Sequence, residues 1–247
     1  MPKISCIIAY DGTNYSGYQI QPQKRTVQGE IEGALMKIHK GEQIRIHASG
    51  RTDTGVHAKG QTIHFDTSLH IPGNSWKKAL NTLLPNDVYV HHSEEVSADF
   101  HARYDVVEKE YRYIVQNTID PDIFKRNYVW HYPYKLNIQA IQEACNFFEG
   151  THDFTTFSSA KATVKGNKIR TLYEVSCQQE NDQIVFVFRG SGFLYNMVRI
   201  LVGTLLDVGQ EKIKPSAIMD MLESKDRNKA GKTAPPQGLY LWKVRYQ

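Results

Sequence analysis

Little in this chain could staple or clamp it from within. It has three cysteines in 247 residues, Cys6, Cys145 and Cys177, and none is in a CxxC spacing. An odd, dispersed set argues against a disulfide framework and a structural zinc, and it fits a reducing compartment. No apolar run approaches the roughly 20 residues needed to span a bilayer. The opening stretch MPKISCIIAYDG runs straight into a strand-like pattern without the layout of a signal peptide. The expectation is a cytoplasmic protein that does not enter membranes. P-loop and GxGxxG patterns are absent, as are HxxxH and HExxH, so no motif points to nucleotide triphosphates, dinucleotides or catalytic zinc. His57, His64, His91, His92 and His101 are therefore read as structural or solvent-facing, and no metal is expected. No single sign of charge dominates: 30 Lys and Arg face 26 Asp and Glu, for a net charge of +4.

Apolar residues make up 40% and charged residues 23%, ordinary for a globular protein with ample core in one large domain or two small ones. The charge is locally uneven. Lys161, Lys165, Lys168 and Arg170 fall within ten residues with no acid among them, which suits either a solvated loop or contact with a polyanion.

Hydrophobic spacing predicts the order β-α-β-β-α-β twice. In the first half, strands are expected at 3–10, 43–48, 61–67 and 87–91. Helices are expected at 27–39 and from Trp76 through Leu84, ended by Pro85. In the second half, strands are expected at 106–116, 169–178, 184–190 and 238–246, the middle two joined around Glu180-Asn181-Asp182-Gln183. Helices are expected from Ile138 to Phe148, at 195–208 and at 215–223. The expected fold class is α+β: two ferredoxin-like or RRM-like halves, 1–105 and 106–247, sharing a mixed, mainly antiparallel sheet flanked by helices.

The segment SGRTDTGVHAKG (49–60) joins two predicted strands and places one acid beside an arginine among glycines. A connection of about a dozen residues exceeds the need of a hairpin, and long loops often carry function. Asp53-Thr54-Gly55 is a poor aspartic-protease motif, because that chemistry needs two carboxylates sharing a proton and no second such triplet exists. A nucleophilic carboxylate is the stronger reading. It must stay ionised, and a nearby arginine lowers an Asp pKa by roughly 1–3. Arg51 is local. Arg199 lies in FLYNMVRILVGTLL, otherwise nearly free of charge; a buried guanidinium there needs an acidic partner, and Asp53 is the one expected. Tyr111, in KEYRY, is either a packing residue or a ring for stacking on a base.

These pieces together resemble the anticodon stem-loop pseudouridine synthase family. GRTDTGVHA (50–58) is similar to its catalytic motif. Further matches follow in order: AYDGTNYSGYQIQP (9–22), TVQGEIEGAL (26–35), NTLLPNDV (81–88), FHARYD (100–105), KEYRY (109–113), HDFTTF (152–157), GFLYNMVRILVG (192–203) and APPQGLYL (234–241). The resemblance implies the pseudouridine synthase fold and isomerisation of uridine to pseudouridine at tRNA positions 38, 39 and 40, without a cofactor. It implies a homodimer whose partner is tRNA rather than DNA. It assigns Asp53 as nucleophile, attacking either the sugar C1′ or uracil C6. Arg51 would support the flipped backbone, and Arg199 would pair with Asp53. Tyr111 would stack on the uracil and is a candidate to take the C5 proton. Leu239 would form an apolar wall of the base pocket. Lys161, Lys165, Lys168 and Arg170 would meet the tRNA backbone. A non-catalytic RNA-binding module of two RRM-like halves is the alternative.

Overall fold

A computed structural model describes residues 1–159 and 167–247. The chain divides into two compact units, residues 1–107 with 240–247, and residues 108–239.

The first unit begins with β1 (Lys3–Tyr10), whose Ile4, Cys6, Ile8 and Tyr10 alternate inward as the pleat requires. Helix α1 (Val27–Ile38) starts where the Thr26 side chain accepts the amide of Gly29. It buries Val27, Ile31, Ala34 and Leu35, the predicted apolar face. Next come β2 (His47–Ala48), β3 (His57–Asp66), α2 (Trp76–Asn81) and β4 (Val88–Val96). β1 is antiparallel to both β3 and β4. Trp76 is fully buried, edge-on to Phe65 and stacked with His39.

Several sequence expectations change here: β4 runs five residues past the expected end at 91, and α2 stops at Asn81, short of Leu84. The strand predicted at 43–48 is reduced to two residues. Ile44 and Ile46 are buried, but the Ile46 amide is taken by the Glu32 carboxylate at 3.1 Å and not by a neighbouring strand. Conversely, β3 begins at His57, four residues before the predicted start, which shortens the acid-bearing loop to 49–56.

The second unit contains β5 (Val106–Gln116) from Glu108 onward, β6 (Trp130–His131), α3 (Ile138–Asn146), β7 (Gly150–Asp153), β8 (Ile169–Glu180), β9 (Gln183–Gly190), α4 (Met197–Gly209) and α5 (Ala217–Ser224). Its ladder runs β5-β9-β8-β7, antiparallel throughout, with β6 parallel to the end of β5. The β8–β9 turn is Asn181-Asp182, with Asn181 at φ 54°, a conformation Asn tolerates. α4 is buried along most of its length, and a methyl on Gly203 would sit 1.8 Å from the Lys232 carbonyl oxygen, so only glycine fits. The short β6 and β7 were not anticipated, since neither is long enough to show a period.

The last strand, β10 (Leu239–Tyr246), departs from the 106–247 division. From Tyr240 onward it groups with the first unit, pairing in parallel with β3 through Tyr240–His57 and Leu241–Ala58. A methyl on Gly60 would lie 2.7 Å from the Trp242 carbonyl oxygen, and the Tyr246 hydroxyl donates to the Ala102 carbonyl at 2.6 Å.

Among the described residues, no helix is long and apolar enough to cross a membrane, and no group of three or more His, Cys, Asp and Glu residues is arranged to hold a metal. His64 is buried, and its Nδ1 accepts the Ala102 amide at 3.1 Å. Its ring stacks on His47 and meets His101 edge-on. Burial first, then the neighbouring His47, His101 and Lys3, lower its pKa to about 4.

Candidate active site

In the first unit the Asp53 loop is held mainly from its backbone. Thr52 is buried, and its hydroxyl shares a 2.8 Å hydrogen bond with Tyr10. The Thr52 carbonyl accepts the Tyr18 amide at 3.0 Å, and the Asp53 carbonyl accepts the Val56 amide at 3.1 Å. Ser49 donates to Gln61, and Gln61 Nε2 donates to the Gly50 carbonyl at 2.8 Å. These bonds fix the residues on both sides of the acid, leaving Arg51 exposed and Asp53 half-buried.

The segment after β1 presses against this loop where side chains would not fit. A methyl on Gly12 would lie 2.1 Å from the Val56 carbonyl oxygen. Gly17 has φ +93°, and a methyl there would lie 3.1 Å from the Thr52 carbonyl oxygen. The Gly12 amide donates to His57 Nδ1 at 3.0 Å, and the His57 ring stacks on Tyr240. The Asp11 carboxylate stands 3.2 Å from the same Nδ1 and accepts from the Thr13 amide and hydroxyl. The far end of the bracing segment is tied down by charge. Arg25 donates to both oxygens of Asp87 at 2.7 and 3.0 Å, and Tyr15 donates to Asp87 at 2.6 Å. Despite the cost of burial, the Arg25 and Tyr15 bonds hold the Asp87 pKa below the ordinary value.

The second unit holds Tyr111, Arg199 and the approach to Leu239. Tyr111 is buried on β5, edge-on to Phe193 at 4.9 Å. Arg199 is half-buried on the first turn of α4. Its Nε donates to the Ala234 carbonyl at 2.6 Å and its Nη1 to Asn196 Oδ1 at 2.9 Å, while its own carbonyl accepts the Ala234 amide at 3.0 Å. Asn196 adopts a left-handed φ of 59° before the helix and does not cap it. The Tyr113 hydroxyl donates to the Pro235 carbonyl at 2.7 Å, so residues 234–238 are pinned to β5 and α4, and Leu239 follows, buried.

Of the basic cluster, Lys161 and Lys165 lie outside the described residues. Lys168 and Arg170 are half-buried. Arg170 Nη1 donates to the Asn167 and Ile169 carbonyls, and burial lowers the Arg170 pKa.

A sequence model of the tRNA pseudouridine synthase family matches residues 6–105 and 144–247. The chain belongs to this family. It is 59% identical over 247 residues to a protein of Oceanobacillus iheyensis named tRNA pseudouridine synthase A, covering 100% of this chain and 98% of that one. It is 56% identical over 246 residues to tRNA pseudouridine synthase A 1 of Bacillus cereus, covering 100% and 99%. A tRNA pseudouridine synthase A of Geobacillus kaustophilus is 54% identical over 246 residues, covering 99% and 95%. The α+β architecture of both units is consistent with the pseudouridine synthase fold. The family match leaves out 106–143, which holds Tyr111; the full-length relatives span it.

Within this member of the tRNA pseudouridine synthase family, sequence reading did not foresee several supporting residues. Tyr10 holds Thr52, His57 receives the Gly12 amide, and Asn196 with Ala234 holds Arg199. The available signal was positional, since each lies in or beside one of the quoted motifs. Nothing in the spacing said which partner each would take.

Proposed function

We propose that this chain isomerises uridine to pseudouridine in tRNA, at positions 38, 39 and 40 of the anticodon stem-loop. The observation that carries this reading is the GRTDTGVHA loop, braced by buried backbone hydrogen bonds so that one half-buried carboxylate stands beside an exposed arginine, in a chain of this family. The reaction breaks the N1–C1′ bond of the nucleotide and forms a C5–C1′ bond. N1 ends with a proton, and C5 loses one. No electrons are exchanged with a second reactant, so the chemistry needs no redox cofactor.

Asp53 is the nucleophile, bonding to C1′ or to C6 so that the uracil can be released, turned and rejoined. The target is extruded from its stack at a cost of a few kcal/mol, and Arg51 receives a backbone phosphate of the extruded nucleotide. Tyr111 stacks on the uracil and accepts the C5 proton late in the reaction. Arg199 supplies the positive charge that favours an ionised acid, and Leu239 provides apolar contact to the base. Lys168, Arg170, Lys161 and Lys165 attract the tRNA backbone, so affinity falls with salt. The enzyme works as a cytoplasmic homodimer.

The test is to incubate an unmodified tRNA transcript with the protein and map pseudouridine by carbodiimide adducts that stop reverse transcription. Stops at 38, 39 and 40 are expected. Binding of the tRNA with no new stop would leave the RNA-binding module as the reading.

A further inference from the structure

The first unit carries an open hollow of about 350 Å³ lined by Asn74, Lys77, Lys78, Asn81, Thr82 and Tyr89. Neither Arg51 nor Asp53 lines it. That volume lies within the roughly 300–1,000 Å³ typical of ligand pockets. One wall is fixed: Asn81 donates to the Val90 carbonyl at 2.9 Å and accepts the Val90 amide at 2.8 Å, binding the end of α2 to the backbone of β4. The Thr82 hydroxyl donates to the Lys78 carbonyl at 2.9 Å and keeps its acceptor capacity.

The chemistry of the lining is one-sided. Two lysines line the hollow and no acidic residue does. Neither lysine has an ion-pair partner among the described residues, so an incoming anion would break no ion pair. Tyr89 is 47% exposed. The Lys77 ammonium stands 5.9 Å from its ring centroid, and His91 meets it edge-on at 5.2 Å. A simple anion would use the lysines and leave the ring idle. An apolar ligand would leave the charges unanswered. A phosphate attached to a flat base uses both, the combination by which proteins hold unpaired nucleotides.

We propose that this hollow between α2 and β4 is an accessory site for one unpaired nucleotide of the tRNA substrate, its base on Tyr89 and its phosphate between Lys77 and Lys78. The inference rests on the tRNA reading above and adds a contact outside the residues assigned to the reacting uridine.

The test measures tRNA binding by filter retention over a range of salt, together with turnover, for wild type, Tyr89→Ala and the double variant Lys77→Ala/Lys78→Ala. Tyr89→Ala is expected to weaken tRNA binding about fivefold or more. The double variant is expected to flatten the plot of log affinity against log salt by about 1. Both should raise KM, keep kcat at saturating tRNA and keep the wild-type melting temperature. Unchanged affinity and salt slope in both would overturn the site. So would loss of uridine 5′-monophosphate binding, followed by NMR, alongside unchanged tRNA affinity, because the hollow would then serve a free nucleotide. A wild-type protein that binds tRNA and makes no pseudouridine would sink the proposed function, while the binding arms would still judge the hollow.

Discussion

The Asp53 loop of the first unit and the Arg199 region of the second are held by opposite means. Around Asp53 the bracing acts on main-chain groups of the loop, and the neighbouring segment approaches so closely that Gly12 has no room for a side chain and Gly17, at φ +93°, has little. Around Arg199, side chains reach across to carbonyls: the guanidinium to Ala234 and the Tyr113 hydroxyl to Pro235. The first arrangement should fail when an atom is added, and the second when an atom is removed. Main-chain bracing fixes where a small acid stands through the carbonyl groups of its loop. Side-chain bracing spends part of the functional group's own hydrogen-bonding capacity on position.

The largest stability effect should come from adding a methyl at the tightest approach. Gly12→Ala should cost about 3 kcal/mol, read as a shifted urea midpoint, because backbone at 2.1 Å cannot yield as a flexible side chain would. A wild-type midpoint would mean the segment can retreat from Val56. Next is pH. His64 titrates near 4 in the folded chain and near 6.5 unfolded. The unfolded state therefore binds a proton first, and stability present above pH 6.5 is lost as pH falls toward 4, by up to about 3 kcal/mol. Thermal melts should show this decline, and His64→Asn should flatten it. Arg199→Ala should cost about 2–3 kcal/mol, since it removes the charged bonds to the Ala234 carbonyl and Asn196 from a half-buried site, and should lower turnover. Unchanged stability would show that Ala234 is held without the guanidinium. Tyr113→Phe, which removes one hydroxyl, should cost about 1 kcal/mol and sharpens the comparison by touching no proposed reacting group.

The same contrast governs what could be read from the sequence. The loop was legible because its acid, its arginine and its glycines are contiguous, and the predicted strands on either side put them in a connection. Helices α1 and α4 and the long strands β5, β8 and β9 were legible from periodicity. The surroundings of Arg199 were only partly legible, because they come from three distant stretches, 109–113, 192–199 and 234–239. No local rule states that residue 234 turns its carbonyl toward residue 199. β6 and β7 escaped because two or four residues show no period. The short β2 reads as a longer strand in the sequence because alternating burial without a strand ladder has the same period. The return of β10 to the first unit is a pairing choice, Tyr240 with His57, made by register and not by composition.

The proposed reaction turns on a bond between the Asp53 carboxylate and the nucleoside. Its most direct test is tritium release from tRNA labelled at uracil C5, comparing wild type with Asp53→Asn. The substitution keeps the shape of the side chain and removes its charge. The variant should melt as wild type does and still bind tRNA, but release tritium more slowly by on the order of 10⁴–10⁶-fold, the scale of removing a nucleophile. Release at the wild-type rate would contradict it.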